Sequence, residues 1–541
     1  MSGMFAGKRS YLLALTAVVV LFAVWRSVAG LLDNTRIFDG YRWGIHVSIL
    51  EIEGQGQAAI YTLRTKNIQK NEWQPAVSVN AADLAGSKAF KLEESLESFP
   101  ADYAALSQIN WAGPKAVGWP DENHLYVRHR ELVHPINGKD INASYWGVKD
   151  RSDPLDLIIG ADNSIIAAID VSHDNIMVRR GFEAFTTVAK WQEKSVSQPL
   201  YGYKALPQHM MQTKANLKLA TRVFLPEGDI KGPYPTIFIR TPYGISDLIP
   251  KYQQYAVRGF AVVLQAVRGT AYWDPEAKSE GDLELMVHEP LDGADALSWI
   301  TEQPWSDGSI CMQGGSYVGF TQWSATMAKN PALKCIVPES SMGTAFSDQP
   351  YMGGTYVEGG AFYAFWMKNK ELLPGRTWPE ILRHRPLMDL DEYATGFDIS
   401  TWNADIGHSR NDEHWKRQDW LAGDYPRTVA SLQISGWFDD DYPGTRSAWA
   451  MMQKRGTLPN RLLLGPWRHG YNHDRQLNGY SFGIEALRGD IWLIKQKWYD
   501  HFLKGVDNDA TDTVVEYFVL GANEWRTAVA WKTCRLRYLK V

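Results

Sequence analysis

From about residue 203 onward, short apolar runs alternate with stretches that have a helical pattern of apolar positions. Residues 217–225, 235–240 and 259–265 are apolar runs of strand length, bounded by glycine or proline. A helix is predicted at 291–301, because it follows a proline and carries Asp292 in its first turn, near the positive end of the helix. Strands and helices that alternate with crossovers of this length predict a mostly parallel sheet, so the fold class is α/β.

A glycine-bracketed serine interrupts this alternation and predicts a nucleophile elbow. Residues 309–323 read as a buried strand, a turn that carries Ser316, and an amphipathic helix. Glycines at 314, 315 and 319 leave room for a sharp turn, although their spacing departs from G-x-S-x-G. The turn would expose Ser316 Oγ and direct the Tyr317 N–H toward the attacked group, as half of an oxyanion hole. Without partner residues, the motif is as typical of a glycine-rich turn with an ordinary capping serine as of a nucleophile elbow.

An acid and a histidine follow in the order that an α/β hydrolase requires. The strand-like run 429–435 leads into Gly436-Trp-Phe-Asp439, and a second apolar strand breaks at Gly465-Pro466 and delivers His469. Both side chains therefore come from loops after neighbouring predicted strands. The adjacent Asp440 and Asp441 are alternative acids, and His473 is the close rival base.

At these motifs the chain resembles the superfamily of cocaine esterase, X-prolyl dipeptidyl peptidase and α-amino acid ester hydrolase. The resemblance spans roughly residues 203 to 541 and rests on Trp305-Ser-Asp-Gly, Gly315-Ser316-Tyr317-Val-Gly319, Gly436-Trp437-Phe438-Asp439, Gly465-Pro466-Trp467-Arg468-His469 and Arg240-Thr-Pro-Tyr243-Gly.

The resemblance implies an α/β-hydrolase fold with a helical cap and a C-terminal jelly roll. It favours Asp439 as the acid, directly after Trp437-Phe438, and implies that the Tyr243 hydroxyl is an oxyanion donor. Family members usually have Asp-x-Arg-Gly where this chain has Ala266-Val-Arg268-Gly, so Arg268 either finds another partner or stays exposed. Within the hydrolase domain, predicted at 201–510, the aromatic-rich stretch 340–425 is interpreted as the cap that walls the acyl pocket.

The N-terminal 200 residues fall outside the resemblance. Lys8-Arg9 and the apolar run 11–25 are typical of a secretory signal, with a small-residue cleavage site at Ser27-Val-Ala29, so residues 1–30 are predicted to be a signal peptide. An uncleaved membrane anchor is the alternative, although the run is shorter than the ~20 residues of a spanning helix. Either reading places the catalytic part outside the cytoplasm, as a periplasmic, secreted or membrane-anchored protein.

Residues 31–200 mix a helix-like stretch at 81–105 with strand-like runs at 155–160 and 164–170. They predict an N-terminal α+β extension of unknown role, which ends in a linker at 195–199.

At the other end, runs 514–520 and 533–539 look like the first jelly-roll strands. Residues 511–541 are therefore expected to be a truncated start of that domain, whose open strand edges would favour self-association.

The composition of the chain limits which other functions it can have. The chain has 541 residues, 45% hydrophobic content and a net charge of −5, without a basic stripe that would indicate nucleic acid. We expect no cofactor, no metal site and no disulfide among Cys311, Cys335 and Cys534.

The sequence thus predicts a serine hydrolase that cleaves acyl esters or amides of small molecules. X-prolyl dipeptidyl-peptidase activity on short peptides is the runner-up. A non-catalytic binding protein is the rival class, because the Arg268 turn and Cys311, where the family usually has glycine, are altered.

Overall fold

A computed structural model describes residues 35–54, 58–86, 103, 106, 109–112, 116–118, 125–149, 152–270, 274–423 and 427–531. Two large sheets dominate these residues, one on each side of position 200. The predicted signal or anchor at 1–30, the strand at 533–539 and Cys534 lie outside the described residues. No helix in the described part of the chain combines the length and apolarity needed to cross a bilayer.

The first sheet is antiparallel and has eleven strands. In chain order these are β1 Thr35–Arg42, β2 Ile45–Glu53, β3 Ile60–Asn67, β4 Glu72–Trp73, β5 Val77–Asn80, β6 Ala116–Gly118, β7 Leu125–Ile136, β8 Lys139–Val148, β9 Leu155–Gly160, β10 Ile165–Asp170 and β11 Asn175–Arg179. The spatial order is β4-β3-β2-β1-β11-β10-β9-β8-β7-β6, with β5 paired to β3.

The described part of this N-terminal region contains more strand and less helix than the α+β prediction implies. Of the helix-like stretch 81–105, the structure describes a 3₁₀ helix at Ala81–Gly86 and little beyond it. The strands at 155–160 and 165–170 do form, as neighbours in the sheet. Every residue of β10 is buried, so both faces of the sheet are covered there.

The second sheet also has eleven strands and is mixed. The remaining strands of the chain are β12 Gly202–Ala205, β13 His209–Gln212, β14 Lys218–Glu227, β15 Tyr234–Thr241, β16 Ala261–Ala266, β17 Ser306–Ser316, β18 Leu333–Ser341, β19 Tyr351–Met352, β20 Thr355–Tyr356, β21 Ala430–Phe438, β22 Asn460–Arg468, β23 Gln476–Leu477, β24 Tyr480–Ser481, β25 Val515–Val519 and β26 Glu524–Ala528.

The order in this sheet is β12-β14-β16-β15-β17-β18-β21-β22-β25-β26, with β13 beside β14. The strands from β16 to β25 pair in parallel, and antiparallel strands flank them on both sides. The β19–β20 and β23–β24 pairs form separate small hairpins. The predicted α/β class is confirmed, because a central parallel sheet with helical crossovers is the hydrolase architecture.

The helices connect these strands and build the cap. They are α1 Val188–Trp191, α2 Ile249–Tyr252, α3 Glu289–Thr301, α4 Tyr317–Thr326, α5 Glu358–Met367, α6 Trp378–Ile381, α7 Leu390–Thr395, α8 Ser400–Gly407, α9 Glu413–Lys416, α10 Tyr442–Arg455 and α11 Ile491–Lys504. Further 3₁₀ helices lie at Glu183–Phe185, Ser246–Leu248, Gln253–Arg258, Pro275–Ala277, Leu387–Asp389, Ile484–Ala486 and Asp509–Thr511. Helices α5 to α9 lie between β18 and β21, where the sequence predicts the cap.

The two sheets are joined by a shared core and by a buried ion pair. Trp43, at the turn between β1 and β2, contacts Trp492 of α11 with ring centroids 5.2 Å apart. Arg475 follows β22 and donates to Asp156 of β9, with Nη1 and Oδ1 2.7 Å apart and both side chains buried. A buried pair of this kind ties the N-terminal sheet firmly to the hydrolase domain, because separating it would leave an unpaired charge.

The strand predicted at 514–520 as the start of a jelly roll is part of the hydrolase sheet. β25 pairs in parallel with β22, placing Val515 opposite Leu462, and β26 then pairs with β25. The jelly-roll interpretation of residues 514–520 is therefore wrong, since the hydrogen bonds of β25 are made within the second sheet.

The expectation of no disulfide is also corrected. Cys311 of β17 lies opposite Cys335 of β18, with Cα atoms 4.6 Å apart, and a disulfide joins them in the buried core. The sequence places both residues in central strands but does not show that the strands are neighbours in this register.

Arg268 finds a partner that replaces the missing aspartate of its turn. Its guanidinium binds both carboxylate oxygens of Asp292 on α3, with Nε and Nη2 at 2.8 and 2.6 Å. Arg268 is therefore buried and paired, so the altered turn is no argument against an intact fold.

Candidate active site

Ser316 stands at the sharp junction between β17 and α4. Its backbone has φ 59° and ψ −128°, a region that residues with a Cβ rarely adopt and that is typical of strained functional turns. A Cβ on Gly319 would lie 2.6 Å from the Ser341 Cβ, so this glycine lets α4 pack closely on β18. The displaced second glycine of the motif therefore serves close helix–strand packing.

Asp439 and His469 meet at the carboxyl ends of the neighbouring strands β21 and β22. His469 Nδ1 lies 2.9 Å from Asp439 Oδ1. The other Asp439 oxygen accepts a hydrogen bond from Ser435 Oγ at 2.8 Å, and the Asp441 N–H donates to Oδ1 at 3.1 Å. The carboxylate is buried and held at both oxygens, so it can fix the orientation of the imidazole.

The other candidate acids lie farther from His469, and the other candidate base contacts a different residue. Asp440 and Asp441 oxygens are 3.4 and 3.7 Å from His469 Nδ1, and the Asp440 side chain is 72% exposed. His473 instead pairs with Asp153, which precedes β9 of the N-terminal sheet, with Nδ1 and Oδ1 2.8 Å apart. The geometry therefore favours Asp439 and His469 as partners.

Charge around His469 alters its titration. Burial by itself would lower the pKa of His469, but the hydrogen bond to Asp439 and the carboxylates of Asp441 and Asp440 raise it to about 9. Burial would raise the pKa of Asp439, yet the His469 contact holds it below the usual range. The pair therefore favours an imidazolium beside a carboxylate in the free site.

Tyr243 approaches Ser316 from the loop after β15. Its hydroxyl donates to Ser316 Oγ at 3.3 Å and is also hydrogen-bonded to the backbone of Tyr317. Burial raises the pKa of Tyr243, so the hydroxyl keeps its proton and remains a donor at neutral and mildly alkaline pH. The two oxyanion donors predicted from the sequence are thus side by side next to the serine.

The cap contributes one further hydroxyl to this group. Tyr363 of α5 donates to the Tyr243 hydroxyl at 3.3 Å, and its ring stacks on that of Tyr317, with centroids 6.3 Å apart. Sequence reasoning did not single out Tyr363. The signal available was only its position in an aromatic helix that the pattern assigns to the cap.

The Tyr317 side chain is held away from the site. Its hydroxyl donates to Glu289 Oε1 at 2.6 Å and accepts from the Met286 N–H at 2.6 Å. The side chain is thus anchored in the core, while the backbone of this residue is hydrogen-bonded to the Tyr243 hydroxyl. This arrangement suits an oxyanion donor that must not move during reaction.

A further buried acidic residue, Asp348, lies near the loop that carries Asp439. Asp348 is fully buried, and its Oδ2 accepts the Gly343 N–H at 2.8 Å. Burial, together with Asp439 and Asp440, raises the pKa of Asp348 to about 7, and burial raises that of Asp441 well above its usual range. Because Asp348 is enclosed, it is not placed to receive a charged group from solvent.

The second sheet and the serine turn together have the architecture of the α/β-hydrolase fold. Comparison with known proteins agrees. Residues 216–471, which include Ser316, Asp439 and His469, match the family model of the X-Pro dipeptidyl-peptidase (S15 family). This match confirms the resemblance seen in the sequence, and it leaves the N-terminal sheet uncovered.

Two relatives illustrate the relationship. The chain is 28% identical to the cocaine esterase of Rhodococcus sp. (strain MB1 Bresler) over 367 residues, which cover 61% of this chain and 60% of the relative. The crystal structure of an aminopeptidase from a marine sediment archaeon, Thaumarchaeota archaeon, superposes with a TM-score of 0.52 at 23% identity, covering 61% of this chain and 60% of that one. The chain thus spans about three-fifths of the length of these relatives.

Proposed function

We propose that this protein is a serine hydrolase that cleaves acyl esters through a Ser316–His469–Asp439 triad. The observation that carries the proposal is the position of Ser316 Oγ, on a strained turn and in contact with the Tyr243 hydroxyl. The His469–Asp439 pair stands at the ends of nearby strands of the same sheet. A binding protein would have no need for a strained serine beside two aligned hydrogen-bond donors.

The reaction follows from these positions. His469 accepts the Ser316 proton as Oγ attacks the carbonyl carbon, and the carbonyl oxygen becomes an oxyanion between the Tyr243 hydroxyl and the Tyr317 N–H. The carbon–oxygen bond to the alcohol breaks, and His469 returns the proton to the leaving alcohol. Water, deprotonated by His469, then attacks the acyl-enzyme; the bond from the acyl carbon to Ser316 Oγ breaks, the acid is released, and His469 returns the proton to Ser316 Oγ. No step requires a cofactor.

An ester is favoured over an X-prolyl peptide by the charge of the site. A free amino terminus needs an accessible carboxylate, and the buried side chain of Asp348 does not offer one. The relative with 28% identity is named as an esterase. The name of the family model keeps X-prolyl dipeptidyl-peptidase activity as the second candidate.

The test is a pair of chromogenic substrates. Purified protein is assayed with p-nitrophenyl esters of increasing acyl length and with X-Pro p-nitroanilides, with the Ser316→Ala variant as the blank. Serine-dependent release of p-nitrophenol with no anilide cleavage is the expected result. Faster anilide cleavage would shift the assignment to the peptidase, and no serine-dependent turnover of either class would count against catalysis.

The raised pKa of His469 predicts that the enzyme is most active at alkaline pH. The histidine must be neutral to accept the serine proton, so kcat/KM should rise with pH, reach half its limiting value near pH 9, the value to which its surroundings raise the pKa, and level off above it. Replacing Asp440 by Asn removes a negative charge 3.4 Å from His469 Nδ1 and should move this rise to lower pH. An ester-hydrolysis profile at constant ionic strength measures both effects.

The matched control is Asp229→Asn. Asp229 precedes β15 and therefore lies at the amino ends of the parallel strands, opposite the site, so its variant should keep the parent profile. A kcat/KM that is already flat at pH 7 in the parent would contradict the assignment of His469 as the base.

We propose that catalysis takes place outside the cytoplasm. The basic start and apolar run at 8–25 support export, and so does the Cys311–Cys335 disulfide, because such bonds persist mainly in oxidising compartments. Edman or mass-spectrometric sequencing of protein from the producing cell should find a mature start near Gly30. An intact Met1 in a cytoplasmic fraction would contradict export.

A further inference from the structure

Three metal-ligating side chains from separate segments meet at the junction of the two sheets. Asp153 precedes β9, His173 lies in the turn between β10 and β11, and His473 follows the loop that carries His469. One ligand atom from each lies within 4.8 Å of those of the other two. The residues are 20 and 300 positions apart, so no local spacing in the sequence indicates the cluster.

Backbone pairing holds the two sides of this cluster in place. The Asp153 N–H donates to the His473 carbonyl at 3.0 Å, and Ser152 forms a β-bridge with Asp474. The side chains also meet, with His473 Nδ1 2.8 Å from Asp153 Oδ1. Hydrogen bonds between the two backbone segments therefore fix the positions of Asp153 and His473. The distance between these residues does not depend on their side-chain conformations alone.

A buried carboxylate orients the second histidine. Asp170 is 4% exposed, and its Oδ2 lies 2.9 Å from His173 Nδ1, while the His173 N–H also donates to its Oδ1. A carboxylate at one ring nitrogen fixes the tautomer in which the other nitrogen, Nε2, is free to bind a metal. Histidines that ligate zinc characteristically have this outer carboxylate.

The cluster borders a cavity that is lined by both acidic and basic side chains. His173 and His473 line a cavity of about 560 Å³ between the sheets, and Asp174 borders the same cavity. Asp174 is 8% exposed, and its Oδ1 has no hydrogen-bond partner in the described part of the chain. Arg42, Lys251 and Lys495 line the cavity as well, but Lys495 is already paired with Glu339 at 2.8 Å.

We propose that Asp153, His173 and His473 form a Zn²⁺ site that links the N-terminal sheet to the loop of the catalytic histidine. Two imidazole nitrogens and one carboxylate oxygen are the donor set that zinc prefers, whereas Ca²⁺ and Mg²⁺ prefer oxygen alone. The adjoining cavity leaves room for water as the fourth ligand. The ligand side chains are 44 to 47% exposed, so an ion can reach them from solvent.

The test is calorimetric titration of ZnCl₂ into untagged, chelator-treated, full-length protein. One ion per chain is expected. His173→Gln and His473→Gln should each weaken binding by at least about 100-fold, and Asp170→Asn, which removes only the outer carboxylate, by about 10- to 100-fold. His384→Gln is the matched control, because His384 also pairs with an aspartate, Asp389 at 2.9 Å, but belongs to no three-ligand group in the described residues.

Thermal unfolding, with and without Zn²⁺, gives an independent reading. Ligands that bind only the native state raise its midpoint, so saturating Zn²⁺ should raise the melting temperature of the parent and of His384→Gln but not of His473→Gln. A cooperative transition in the absence of metal shows that each variant is folded. No saturable binding by the folded parent, or binding by His173→Gln and His473→Gln that is as tight as that of the parent, would overturn the site.

Discussion

Ser316→Ala should lower kcat for an activated ester by about 10⁶-fold, the loss seen when a triad serine is removed. The reason is geometric. Ser316 Oγ is the group at the β17–α4 turn that contacts the Tyr243 hydroxyl, and alanine leaves no nucleophile there. Residual turnover over water should remain, because the Tyr243 and Tyr317 donors and substrate binding survive the change. Stopped-flow or long-time p-nitrophenyl ester assays cover this range.

Further variants and a matched control show whether the loss of activity in Ser316→Ala comes from the triad. His469→Ala should cost nearly as much as Ser316→Ala, and the double variant little more than either, because the triad acts as a unit. Ser324→Ala is the matched control, since Ser324 lies on the same helix with a buried hydroxyl and should keep parent activity. Additive losses, or a Ser316→Ala variant within tenfold of the parent, would contradict the triad.

Tyr243→Phe should lower kcat by about 10²-fold or more with little change in KM, as the loss of one oxyanion donor does. The hydroxyl lies 3.3 Å from Ser316 Oγ and is hydrogen-bonded to the Tyr317 backbone, where an oxyanion would form. If Tyr243 only packed under the cap, the change would cost ~1 kcal/mol of stability and would change kcat little. Steady-state kinetics together with thermal unfolding separate the two roles.

Tyr363→Phe is the graded control for that experiment. Tyr363 touches the Tyr243 hydroxyl at 3.3 Å and acts through it, so it is a positioning residue. Its loss should reduce kcat by less than the loss of Tyr243, while KM and the folded state remain. Turnover by Tyr243→Phe within about threefold of the parent would remove this tyrosine from the mechanism.

Much of the proposed site could be predicted from the sequence because its residues are marked by local signals. The glycines around Ser316, the strand that leads to Asp439 and the Gly465-Pro466 break before His469 each mark the end of a strand. In a parallel sheet such ends meet at one edge, so position along the chain implies proximity in space.

What the sequence could not show depends on which strands are neighbours. The Cys311–Cys335 disulfide requires the β17–β18 register, and the apolar pattern of β25 does not reveal that its partner strand is β22. The long-range partners of Arg268 and His473, which are Asp292 and Asp153, were hidden for the same reason. Tyr363 was hidden because cap aromatics mostly pack, and nothing local distinguishes the one that reaches the site.

The central claim, that Ser316 is the activated nucleophile, is tested most directly by its reaction with a fluorophosphonate. Intact-mass measurement followed by peptide mapping should find one adduct per chain, on Ser316. The adduct should form in the parent and in Ser324→Ala, more slowly in Tyr243→Phe, and not in Ser316→Ala. A folded parent that gains no mass, or that carries the adduct on another residue, would contradict the account.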